Sequence, residues 1–198
     1  MEDEEMEDVS QIYDQNFYNG CILMEYPSSY AVAKILIRHF HPKSVIDLGC
    51  GCGIYLKALY DLGVEDVTGY DGSQAAIEKS LLPGKIMLTD LRKPFASERK
   101  YDLCLCMEVA EHLESCYADG LIQSITQAAD TLFFTAATPG QGGTHHYNEQ
   151  PREYWLQIFK KYGFRLDPLT TQIMTELQAE NVIFWIAQNA MILRKEQA

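Results

Sequence analysis

Apolar residues recur along this chain in two alternating rhythms. Short, continuously apolar runs end at glycine or aspartate, and longer stretches with apolar residues at helical spacing lie between them. Residues 28–40 carry the helical spacing with serine at their start, which predicts a helix. Residues 44–47 predict a first strand, running into Gly49-Cys-Gly-Cys-Gly53, and 54–62 a helix that Gly63 stops. A second strand is predicted at 66–71 and a helix capped by Ser73 at 73–80. Further strands are predicted at 85–89, 101–107, 131–137, 164–166 and 190–194. Helices are expected from near Val109, over 117–129 and 150–162, and through most of 170–187.

Apolar strands alternating with helices predict an α/β fold: a single Rossmann-like, seven-stranded, mostly parallel sheet with helices on both faces. Ligands of such sheets settle beyond the carboxyl ends of the strands. Three regions are expected: an acidic disordered tail over 1–10, an N-terminal helical or lid region over 11–40, and one main domain over 41–198. Tyr13, Phe17, Tyr18 and Tyr26 suit either a lid or packing of the first helix. Trp155 and Phe159 are expected in the core.

Composition narrows the function. The 198 residues are 47% hydrophobic and 22% charged, as in an ordinary globular domain. Sixteen Lys and Arg against 28 Asp and Glu give a net charge of −12, with six of the acids in the first eight residues. That balance offers no broad phosphate-binding footprint, so nucleic acid is the less favoured partner. No run is long and apolar enough to span a bilayer, and no basic-then-apolar leader opens the chain, so a cytoplasmic protein is expected. Four of the six cysteines form C-x-C pairs inside apolar or glycine-rich patterns. They are expected as reduced, buried thiols rather than a zinc site.

The sharpest local signal is Val45-Ile-Asp-Leu-Gly-Cys-Gly-Cys-Gly53. Glycines at alternate positions after a strand permit a tight turn and close ligand approach. The dinucleotide spacing fails, because Ile54 or Leu56 stands where its third glycine belongs, and no Gly-Lys-Ser/Thr follows for a phosphate loop. The D-x-G-x-G-x-G pattern resembles motif I of class I S-adenosylmethionine-dependent methyltransferases, and the resemblance extends over roughly residues 40 to 195. It implies a methyltransferase domain over 41–198. By the resemblance, Asp47, Gly49 and Gly51 would line the amino-acid part of the cofactor and Asp71 would accept from the ribose hydroxyls. Asp90 would lie near the adenine amino group, with Leu91 packed on the ring. Cys106 and Met107 would lie beside the reactive end.

The second signal is Met107-Glu-Val-Ala-Glu-His-Leu113. On a helix, Glu108, Glu111 and His112 at i, i+3 and i+4 share one face. Two carboxylates and an imidazole so placed suit a divalent cation, Mg2+ or Mn2+ before a soft metal. The E-x-x-E-H pattern resembles metal-dependent O-methyltransferases of the ubiquinone pathway and of the small-RNA 2′-O-methyltransferase group. It also occurs where these residues only shape a pocket. The latter group's H-x-x-E-x-x-R stretch resembles His146-x-x-Glu149-x-x-Arg152, implying His146 as a fourth metal ligand, with His145 as its rival. His112, His145 and Glu108 are the candidate catalytic groups. The expected activity is O-methylation of a hydroxyl on a small molecule or sugar. RNA 2′-O-methylation and a non-catalytic, cofactor-binding partner subunit are the alternatives.

Overall fold

The computed structural model describes residues 12–196, so the acidic tail expected over 1–10 lies outside the described residues. Seven strands form one sheet: β1 (Ser44–Leu48), β2 (Asp66–Asp71), β3 (Ile86–Leu88), β4 (Leu103–Met107), β5 (Thr131–Thr135), β6 (Phe164–Leu166) and β7 (Met191–Lys195). Their order is β3-β2-β1-β4-β5-β7-β6. All neighbours pair in parallel except β7, which runs antiparallel to both β5 and β6. Seven helices cover it: α1 (Gln15–Phe40), α2 (Ile54–Asp61), α3 (Gln74–Glu78), α4 (Ala118–Ala128), α5 (Arg152–Lys161), α6 (Leu169–Ala179) and α7 (Phe184–Asn189).

The continuously apolar strands are those in the middle. Every residue of β1 and β4 is buried, because helices pack on both faces there. Successive side chains point to opposite faces. Val45, Leu103, Leu105 and Phe133 join the apolar layer under α1, α2 and α6, whereas Ile46, Cys104, Cys106 and Phe134 join the layer under α4 and α5. The two layers are the two halves of the core. Trp155 and Phe159 sit in the second, fully buried as expected.

Three local expectations are corrected. The first helix begins at Gln15, not near Ser28, with Asp14 accepting from the Phe17 amide as its N-cap. It continues through Pro27, which weakens the sequence signal for one helix. The helix expected from Val109 is a single 3-10 turn over Ala110–His112. It is entered from Glu108 in the left-handed region, at φ +51°, and stops where Leu113 turns extended, at φ −102° and ψ 140°. The helical stretch expected over 170–187 is two helices, interrupted where Asn181 also adopts positive φ.

Candidate active site

A cleft of about 860 Å³ opens at the carboxyl ends of β1, β2 and β4, where the ligand was expected. Its floor is the turn after β1. Gly49 lies at φ +86°, and a Cβ there would collide with the side chain of Val109. Gly51, at φ +55°, donates its amide to Asp71 Oδ2 over 2.7 Å. The turn is thereby locked to the end of β2. Asp71 Oδ1 accepts from the Ser73 amide at 2.9 Å. Burial holds its carboxyl above the usual range, and these backbone N–H groups offset only part of that rise.

Asp47 is the opposite case. It is 2% exposed, lines the cleft and leaves Oδ1 without a partner among the described residues. Burial first, and then the neighbouring Asp71, push its carboxyl up to about 7. A buried carboxylate with no donor is costly to ionise unless a cation reaches it. Asp90 and Leu91 also line this end. The Asp90 carboxylate is gripped by Arg92 through Nε at 3.0 Å and Nη2 at 3.2 Å, and that guanidinium lowers its pKa. Met107 lines the cleft, but Cys106 does not: strand alternation turns it into the core under α4 and α5, fully buried, against the expectation.

At the other end, Glu111, His112 and His146 bring one ligand atom each to within 4.8 Å of one another. Glu111 is fully buried. Its Oε1 accepts from the Ala137 amide at 3.1 Å and its Oε2 has no partner among the described residues. Burial and the adjacent Glu108 carry its carboxyl well above the usual range. The hydrogen-bond partners decide both tautomers. His112 Nδ1 lies 3.2 Å from the carbonyl of His145, which can only accept, so Nδ1 carries the proton and Nε2 the lone pair. His146 Nδ1 likewise faces Glu149 Oε1 at 2.8 Å. Glu149 is itself fixed by the amides of Gly140 and Gly142, both at 2.7 Å. Carboxylate and carbonyl partners of this kind orient imidazoles that bind metals. Burial, then His146, pushes His112 down to about 4.

Three of the four expected metal ligands therefore meet. Glu108 is not a member of that triad: it neighbours Glu111, but its carboxylate accepts from Asn189 Nδ2 at 3.1 Å and Gln141 Nε2 at 2.9 Å. His145 is exposed and rests on the Tyr147 hydroxyl at 3.3 Å; its backbone carbonyl, not its ring, faces His112. Arg152 binds the carbonyls of Gln188 and Ala190 and so secures α7 rather than the cluster. Sequence reasoning missed Gln141 and Asn189, as well as Glu25 and Tyr55, which line the same cleft from α1 and α2. It also missed that the Tyr13 hydroxyl reaches His112. No motif marks them, since each is brought in by tertiary packing.

Residues 24–169 match the family described as a methyltransferase domain. The fold is similar to that of several solved structures. The methyltransferase domain of bacterial CtHen1 is 20% identical with a TM-score of 0.61, over 87% of this chain and all of that one. The sugar N-methyltransferase KedS8 from Streptoalloteichus is 12% identical with a TM-score of 0.67, over 92% of each chain. DesVI from Streptomyces venezuelae is 12% identical with a TM-score of 0.68, over 96% of this chain and 99% of that one. No curated protein matches the sequence significantly.

Proposed function

This chain belongs to the methyltransferase-domain family, and from that premise we propose that it is an S-adenosylmethionine-dependent O-methyltransferase. Its acceptor is a hydroxyl of a small molecule or sugar, and a divalent Mg2+ or Mn2+ ion assists. The observation that carries the reading is one cleft with the buried acid Asp47, whose Oδ1 has no partner among the described residues, at one end and His112 and His146 at the other, with Glu111 buried behind them within 4.8 Å of both.

The residues fit both groups. Asp47 answers the cofactor's ammonium and the Gly49 to Gly51 turn leaves room for its amino-acid part. Asp71 would accept from the ribose hydroxyls, and Leu91 and Asp90 would hold the adenine. Met107 lines the cleft and would face the reactive end. Glu111, through Oε2, and His112 and His146, through the ring nitrogens their Nδ1 partners leave free, would hold the cation. When bound, the cofactor supplies an electrophilic methyl and the cation lowers the pKa of an acceptor hydroxyl. His112 stays neutral near pH 7 and so remains a ligand. Glu108, steadied by Asn189 and Gln141, is the carboxylate left to take the acceptor's proton. Tyr13 and Phe17 line the cleft and help to exclude water. The similarity to a sugar N-methyltransferase supports a sugar acceptor, and the four buried free thiols of the C-x-C pairs fit a reducing, cytoplasmic setting.

The test is calorimetry with S-adenosylhomocysteine, followed by methyl transfer to a panel of hydroxyl acceptors with Mn2+ or with chelator. Binding plus metal-stimulated transfer supports the reading. Absence of binding sinks it, and full activity in chelator removes the metal.

RNA 2′-O-methylation is a second reading, favoured by the formed His146–Glu149 pair. Against it, Arg92 is the lone Lys or Arg among the described residues lining the cleft, whereas Glu25, Asp47, Asp71, Asp90, Glu108 and Glu114 all line it. Steep loss of RNA binding with salt would promote this reading.

A further inference from the structure

Tyr13 touches both ends of the cleft. Its hydroxyl lies 2.9 Å from His112 Nδ1, and the rings meet edge to face with centroids 5.7 Å apart. Its backbone carbonyl accepts from Ser73 Oγ at 3.0 Å, and the Ser73 amide donates to Asp71. The next residue, Asp14, caps α1, so the backbone here is tied to the start of a helix. Phe17 packs edge-on against Tyr13 at 5.0 Å, and the Tyr18 ring lies against Gly51. One short segment thus spans the cleft from the acid after β2 to the imidazole after β4.

The tautomer argument gives that contact a direction. The His145 carbonyl makes Nδ1 of His112 the protonated nitrogen, so the Tyr13 oxygen is a second acceptor for the same N–H. Two acceptors on Nδ1 hold the ring plane and present Nε2 to Glu111 and His146. Loss of such an outer partner typically weakens a metal site by about 10- to 100-fold.

We infer that Tyr13 is a positioning residue that links the two ends of the cleft, so that seating the adenosyl ligand at Asp71 and Ser73 tightens metal binding at His112. This rests on the methyltransferase and metal reading above. A ligand at the ribose end orders the segment, and the ordered segment fixes the imidazole. By linkage the metal tightens the ligand by the same factor.

The experiment is Mn2+ titration of the full chain by calorimetry, with and without saturating S-adenosylhomocysteine. In the unaltered protein the ligand tightens Mn2+ binding by roughly 5- to 20-fold, within the usual range for coupled sites. Tyr13→Phe weakens Mn2+ binding about 10-fold and abolishes the linkage. Ser73→Ala, which frees the other end of the segment, keeps Mn2+ affinity without ligand but lowers the linkage; it carries the test if Tyr13→Phe fails to fold. A merely structural role would lower thermal stability and leave the linkage factor intact. Unchanged linkage in both variants overturns the inference while the metal reading survives. An unaltered protein that binds S-adenosylhomocysteine but no Mn2+ overturns the metal reading and this inference together. One that binds neither overturns the cofactor reading too.

Discussion

The two ends of the cleft are built differently. At the cofactor end the groups are fixed by the sheet itself: Asp47 lies within β1 and Asp71 ends β2, and backbone amides of Gly51 and Ser73 hold Asp71 before any ligand arrives. At the reaction end the groups come from two irregular segments. A 3-10 turn supplies Glu111 and His112, and the loop after β5 supplies His146. They converge because the amides of Tyr147 and Asn148 donate to the Glu111 carbonyl at 2.8 and 3.0 Å. The reaction end thus turns on one fully buried acid, whereas the cofactor end spreads its polar contacts over Asp47, Asp71 and two backbone amides.

The largest effect is therefore expected at the reaction end. Glu111→Ala removes the proposed buried oxygen ligand and strips the Ala137 amide of its acceptor. We expect Mn2+ binding to disappear and methyl transfer to fall by about 10³-fold, while S-adenosylhomocysteine affinity measured without metal stays within about twofold. Titration by electron paramagnetic resonance and by calorimetry reads the two separately. A variant that loses both ligands together would erase the contrast between the ends.

Next comes Asp71→Ala. It deletes the proposed ribose acceptor and takes the partner from the Gly51 and Ser73 amides, so S-adenosylhomocysteine affinity should fall about 10- to 100-fold. Folding stability should fall by about 1–3 kcal/mol. Mn2+ affinity measured without the nucleoside should not change. Equal loss at the metal site would show that the two ends are one rigid unit.

The same contrast explains what could be read from the sequence. β2 matches its expected bounds, and the acids at the carboxyl ends of β1, β2 and β3 all line the cleft, because strand alternation and glycine turns are local properties. Glu111 and His112 do come together, but not through the i, i+3, i+4 spacing of a helix. Glu108 takes a left-handed conformation, no helix forms, and its side chain goes to Gln141 and Asn189 instead. His146 was legible only through a motif resemblance. Tyr13 was legible as a lid residue and nothing finer, because its partner lies 99 residues away. The N-terminal half of α1 was hidden by Gly20 and Pro27 within a single helix.

The smallest expected effect is on stability against pH, where the two ends should pull in opposite directions. Asp47 has an ordinary pKa of 3.8 that burial raises to about 7 in the folded chain. Between those values the folded state keeps a proton that the unfolded state has released. Its contribution is complete below pH 3.8 and is lost as pH rises through 7. His112 has an ordinary value of 6.5 that burial lowers to about 4. Between those values the unfolded state binds a proton that the folded state refuses. Its contribution is complete above pH 6.5 and is lost as pH falls through 4. In ligand-free protein, Asp47→Asn should flatten the descending limb between pH 4 and 7, and His112→Gln the ascending limb over nearly the same interval. Each change should be on the order of 1 kcal/mol, after allowing for relaxation around the buried groups. Urea midpoints measured at half-unit pH steps resolve this, since titrations elsewhere are common to both variants and cancel in the comparison. If both variants flatten the same limb, the two ends share one electrostatic environment and the division drawn between them fails.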